Sequence, residues 1–213
     1  KGIFGTFERD SLQRGYQVYQ EVCSGCHSVQ HLSYRNLAEK GGPEFSVDEA
    51  KAIAAGFEVE DGPNTDGEMF LRAGRLSDNF VDPYPNVQAS IAANGGAYPP
   101  DMSVLTKARA GGADYIYSLL LGYEEPPQNV QLDDGVYYNK FMPGNRIKMS
   151  EPISDGIVEY SDGTEATKEQ IAKDVTAFLV WAAEPHLEAQ HRMGFKVIIY
   201  LIILITLVFM SKQ

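Results

Sequence analysis

The sequence predicts a mainly α-helical domain with long irregular connections, followed by one membrane-spanning helix at the C-terminus. Three observations predict it. Leu12, Gly15, Tyr16, Tyr19, Val22 and Cys23 recur at helical spacing near the start of the chain, and Ile171, Val175, Phe178, Leu179 and Ala182 repeat the pattern near its end. After them, Val197 to Met210 is apolar all round rather than striped, the signature of a helix that meets no aqueous face. Gly135–Tyr138 and Ile157–Tyr160 read as short strands, too few for a sheet-based fold.

The 213 residues can hold one medium domain with appendages, and 44% hydrophobic content supplies its core. A net charge of -11 argues against nucleic acid as a partner and would attract a basic protein. Lys1 follows no leader, which is read as a mature or trimmed N-terminus.

In chain order, Asp10 to Val22 is predicted as a helix. Gly15 inside it costs about 1 kcal/mol relative to alanine, which close approach of another helix would explain. Ser46-Val47-Asp48-Glu49 is a capping box opening a short helix, Val47 to Ala55, stopped by Gly56. Phe57 to Asn94 mixes glycines and prolines with Glu58, Glu60, Asp61, Asp66 and Glu68. It reads as a long irregular connection whose acids are either a docking surface or simply solvated. Asp101 is placed to cap a turn through Leu105, and Asp114 to Leu121 is a further short helix ending at Gly122. Thr167-Lys168-Glu169-Gln170 is a second capping box, starting a helix that runs until Pro185. For the tail, Met193 to Met210 admits one charge, Lys196, which can snorkel, and spans roughly 27 Å at helical rise. The division expected is a domain over 1–186 and a membrane anchor over 187–213.

The chemistry is concentrated in Cys23-Ser24-Gly25-Cys26-His27, where two cysteines three apart are followed at once by histidine. This is the attachment signal for a c-type haem: both thiols add to vinyl groups and the imidazole ligates iron. A zinc site would need more ligands than His31, His186 and His191 supply at metal spacing. A thioredoxin-like pair would leave His27 unexplained and would follow a strand rather than a helix. These are the only cysteines, so none is left for a structural disulfide. With a helix before the signal and another near its end, the chain fits the class I cytochrome c plan, in which Phe178 or Trp181 would meet Gly15.

The second iron face is either open, suiting gas binding or catalysis, or held by a methionine, suiting electron transfer. Met193 and Met210 lie in or beside the tail, Met69 lies among acids, and Met102 follows Pro-Pro-Asp as a packing residue. Met142 and Met149 remain, and Met149 is favoured because it follows Pro143-Gly144 with enough chain to return over the haem.

The residues resemble the cytochrome c1 family, the haem subunit of ubiquinol:cytochrome c oxidoreductase, over nearly the whole chain. The resemblance rests on the haem signal and on Asn94-Gly95-Gly96-Ala97-Tyr98-Pro99-Pro100-Asp101-Met102-Ser103 and Arg109-Ala110-Gly111-Gly112-Ala113-Asp114-Tyr115. It continues through Phe141-Met142-Pro143-Gly144, Met149, Ala172-Lys173-Asp174-Val175, Trp181-Ala182-Ala183-Glu184-Pro185 and the tail. It implies one haem c attached at Cys23 and Cys26, His27 and Met149 as iron ligands, Arg109 with Tyr115 near a haem propionate, and Asn94 and Pro100 in the haem crevice. It implies a non-catalytic electron carrier that takes electrons from a Rieske iron-sulfur protein and passes them to cytochrome c. Further implied are cytochrome b in the same, dimeric complex and a lipid bilayer around the tail. The haem domain would lie on the periplasmic side of a bacterial inner membrane, or the intermembrane-space side of a mitochondrial one. Two departures stand out: some members carry a further cysteine pair, and Ile147-Lys148 replaces the small residues common before the methionine.

Overall fold

The computed structural model describes residues 5–212. Helix α1 (Arg9–Val18) crosses helix α5 (Lys168–Ala183) so closely that a Cβ on Gly15 would lie 2.1 Å from the Asp174 carbonyl oxygen and 2.8 Å from Phe178 Cβ. The close approach expected at Gly15 is present, and Phe178 is its partner. Trp181 packs elsewhere, with its indole filling the space a Cβ on Gly42 would need.

The crossing is tied by Asp174, whose side chain is wholly buried. It accepts from Ser11 Oγ (2.6 Å), Arg14 Nε (2.8 Å) and Gln170 Nε2 (2.8 Å), and Arg14 reaches on to Asp162 (2.7 Å). A buried carboxylate is tolerated only with such a full set of donors and a paired cation. Beside it, the rings of Tyr16, Tyr19, Tyr34, Phe80, Phe178 and Trp181 form one aromatic cluster with centroids 4.9–6.0 Å apart, joining the two helices to the 3₁₀ turn Tyr34–Ala38.

Helix α2 (Val47–Ala55) forms as expected: Ser46 accepts from Glu49 N, and the Glu49 carboxylate returns to Ser46 N. The following region departs from expectation. Instead of wholly irregular chain it contains an antiparallel hairpin, β1 (Glu58–Asp61) with β2 (Phe70–Ala73), and a helix α3 (Val87–Ala93) capped by Asn86. The hairpin holds to the body through Arg72, which pairs with Asp61 on the opposite strand and with Asp78 (2.5 Å) beyond it.

Helix α4 (Gly112–Leu121) appears where expected. Tyr137–Tyr138 (β3) forms a strand, paired with Arg146–Ile147 (β4). Ile157–Tyr160 does not. Its alternation reflects Val158 and Tyr160 pointing into the core, 4% and 5% exposed, from a turn in which Gly156 N bonds to Ala166 O. Thr167 caps α5 as expected, but Gln170 turns its amide to Asp174.

Helix α6 (Leu187–Lys212) is long and apolar enough to cross a membrane, and none of its apolar window is buried. Three residues separate it from α5, and its first turn is fastened to the domain. The Glu188 carboxylate accepts from Phe7 N (2.8 Å) and Arg9 (2.8 Å), and Arg9 also meets Glu44 (3.0 Å) and the Gly41 carbonyl (3.1 Å).

Candidate functional site

Helix α1 ends in a π-helical turn, Tyr19–Cys23, closed by Ser24 N on the Tyr19 carbonyl (2.8 Å). Single π turns inside α-helices are common at functional positions. From Cys23 the chain folds in one further turn, with Cys26 N (3.1 Å) and His27 N (2.9 Å) both bonding to the Cys23 carbonyl. Cys23 packs against the core and Cys26 is exposed. Burial, with the neighbouring Cys26 second, pushes the Cys23 thiol up to about 12, which disfavours the thiolate a redox pair would need.

His27 is fixed by a long-range contact. Its Nδ1 lies 2.8 Å from the carbonyl oxygen of Pro100, 73 residues away. A carbonyl only accepts, so Nδ1 carries the proton and the neutral ring presents its lone pair at Nε2. Burial lowers the imidazole pKa, against the opposing pull of Pro100 and Asp101, which favours that neutral form. The Pro100 carbonyl is held in turn by lacing between residues 28–31 and 101–103. Asp101 accepts from Ser28 Oγ (2.8 Å), Gln30 N (3.0 Å) and Ser103 N (2.9 Å); Met102 N bonds to Ser28 O (2.8 Å), and His31 N to Ser103 Oγ (3.1 Å). The sequence reading anticipated Asp101 as a local cap. Its reach to the haem signal was missed, because spacing along the chain carries no trace of it.

The other candidate residues sit around this centre. Met102 is buried, 5% exposed, as a packing residue. Met149 and Met142 are both half-buried. The Met149 backbone carbonyl accepts from the Tyr123 hydroxyl (3.0 Å), and the adjacent Lys148 Nζ donates to the Gly95 carbonyl (3.2 Å), joining the Met149 segment to the loop that carries Pro100. The Met142 sulfur lies 3.5 Å from the Tyr115 hydroxyl. Asn94 turns its amide back to Ser90 O (2.7 Å) at the end of α3. Arg109 is exposed and donates to its neighbour Ala108 O (3.2 Å), so no hydrogen bond brings it to Tyr115.

The family model described as "Cytochrome C1 family" matches residues 1–213. The chain belongs to the cytochrome c1 family. It is 48% identical over 231 residues to "Cytochrome b/c1" of Bradyrhizobium diazoefficiens, covering 100% of this chain and 34% of that protein. It is 51% identical over 195 residues to "Cytochrome c1-2, heme protein, mitochondrial" of Solanum tuberosum, covering 92% of this chain and 74% of that protein. To "Cytochrome b-c1 complex catalytic subunit, mitochondrial" of Candida albicans it is 48% identical over 201 residues, 94% of this chain and 69% of that protein. The chain thus spans about a third of the Bradyrhizobium relative and about three quarters of the potato one.

The residues of this cytochrome c1 chain fit a covalently held iron porphyrin. Two thiols one turn apart supply attachment points, and an oriented, neutral imidazole with a free Nε2 lone pair supplies an iron donor. Two half-buried thioethers, Met142 and Met149, are available as soft donors.

Proposed function

We propose that this chain is the electron-carrying haem subunit of a membrane-bound ubiquinol:cytochrome c oxidoreductase, taking single electrons from a Rieske iron-sulfur protein and passing them to cytochrome c. The observation that carries the reading is the His27 Nδ1–Pro100 contact, because it orients a neutral imidazole within a haem-attachment signal. Haem c, when bound, supplies a one-electron ferrous/ferric couple. Cys23 and Cys26 would hold it by thioether bonds, and His27 and Met149 would supply its iron donors. The ties of the Met149 segment to Tyr123 and, through Lys148, to the Gly95 loop support Met149 as the second ligand. Asn94 and Pro100 line the crevice, and Arg109 and Tyr115 serve a propionate.

These residues position and insulate; they break no bond in a substrate. The Candida relative is named a catalytic subunit, and in this reading the catalysis belongs to the complex, with cytochrome b as a further subunit and the whole dimeric. Helix α6 anchors the chain in the bilayer, with the haem domain on the periplasmic side, or its mitochondrial equivalent. The net charge of -11 steers a basic electron acceptor, so partner reduction slows as ionic strength rises.

Detergent extraction followed by a redox difference spectrum tests the assignment. A covalent haem that survives denaturation, together with co-purifying cytochrome b and iron-sulfur protein, is expected; a chain purified alone without haem overturns it. Met149→Leu should lower the haem potential and open the reduced protein to carbon monoxide. Retention of the potential would move the second ligand to Met142.

A further inference from the structure

We propose that Asp101 is the positioning residue for the His27 imidazole and, through it, sets the haem potential; the inference rests on the haem reading above. Asp101 follows directly on Pro100, whose carbonyl receives His27 Nδ1, and its two carboxylate oxygens tie that turn to the chain immediately after the haem signal. One oxygen takes Ser28 Oγ at 2.8 Å and Gln30 N at 3.0 Å; the other takes Ser103 N at 2.9 Å. Hydrogen bonds to an ionised acceptor are stronger than neutral ones, so this lacing fixes the Pro100 carbonyl more firmly than a neutral side chain would. Among the described residues no cation forms an ion pair with Asp101. Its charge is therefore moderated by hydrogen bonds and by water on its partly exposed side rather than by a neighbouring cation.

Both consequences act in one direction. A firmly held Nδ1–H···O=C bond raises the basicity of the imidazole toward a metal, and a nearby unpaired negative charge favours the more positive, ferric state. Asp101 thus holds the potential down. The same proton direction follows from the tautomer: Nδ1 gives its hydrogen to Pro100 and leaves Nε2 to donate to iron. Ser28 and Ser103, 9% and 0% exposed, are themselves buried and so hold the carboxylate in a fixed orientation from the core side.

The test is potentiometric titration of the haem-loaded full-length chain in mild detergent, comparing the parent protein with Asp101→Asn and Ser28→Ala. Asp101→Asn should favour the ferrous form on the order of tenfold, equivalent to about +59 mV for one electron. The reduced-state spectrum should stay that of a six-coordinate haem. Ser28→Ala, which keeps the charge and removes one strut, should move the potential the same way by less. An Asp101→Asn protein with intact spectrum and unchanged potential overturns the proposal. If that variant does not accumulate, an unshifted Ser28→Ala does so instead. A parent chain that carries no covalent haem would overturn the haem reading itself, which the spectrum of the denatured parent reveals separately.

Discussion

The α1–α5 crossing can be probed with a single methyl group, by Gly15→Ala. The added carbon would lie 2.1 Å from the Asp174 carbonyl oxygen, 2.7 Å from its carbonyl carbon and 2.8 Å from Phe178 Cβ. Two of these obstacles are backbone atoms, so relief requires the helices to separate rather than a side chain to swing aside. Overpacking of this kind costs about 1–3 kcal/mol, and a backbone obstacle places this case at the upper end. Alanine returns about 1 kcal/mol through its better helix propensity, leaving a net loss of about 2 kcal/mol. For a chain of this size that lowers the melting temperature by about 4–8 °C. The assay is thermal unfolding of the full chain in detergent, followed by circular dichroism. An unchanged or raised melting temperature would refute the reasoning, because it would mean that α1 and α5 are not packed backbone to backbone at this point.

Two further outcomes are expected. Asp174→Ala removes the buried acceptor shared by Ser11, Arg14 and Gln170, leaving the Arg14 guanidinium, 13% exposed, with Asp162 alone, and should cost about 3–5 kcal/mol, the range for breaking a buried pair; denaturant unfolding would show it, and a loss below about 1 kcal/mol would mean that the pair is dispensable. The Arg72–Asp78 clasp should be acid-labile. Its hydrogen bonds from Arg72 hold the Asp78 carboxyl at about 2, against about 3.9 in an unfolded chain. A depressed folded pKa contributes stability that is full above the unfolded value and disappears as pH falls through the folded one. Amide exchange in Glu58–Asp61 and Phe70–Ala73 should therefore accelerate, relative to the rest of the domain, as pH drops from about 4 to about 2. Uniform protection through that interval would contradict it.

The helices that pack on the core were legible because packing imposes a period. Leu12, Tyr16 and Tyr19, or Ile171, Val175 and Phe178, are buried on one face, and the sequence pattern is the imprint of that burial. Helix α3 left no such imprint: of its seven residues only Ser90 is buried, and it is held by Asn86 at its cap. The β1–β2 hairpin was hidden for a related reason. Its strands carry Glu60 and Asp61 opposite exposed Leu71 and Phe70, and Glu58 opposite Ala73, so neither face shows apolar alternation. Ile157–Tyr160 misled in the opposite sense, since alternating burial arises from a turn against the core as readily as from a ladder. At the candidate site the covalent signal was local and fully readable. The Pro100 carbonyl and Asp101 that orient His27 were not, because a contact between a side chain and a backbone atom 73 residues away has no signature in residue identity.

The π-helical turn at Tyr19–Cys23 has a bearing on how this chain tolerates length changes. It lies between Gly15, where the crossing is set, and Cys23, where the haem signal begins, and closes from Ser24 N to the Tyr19 carbonyl, one residue wider than an α-turn. Deleting a residue there would let an ordinary α-turn close in its place. It would also turn both cysteines by about 100° about the helix axis, one residue's worth of rotation, away from the side on which His27 meets Pro100. The irregular turn works as a phase setting between two rigid features, so insertions and deletions in these few residues should be far more damaging than substitutions at the same positions.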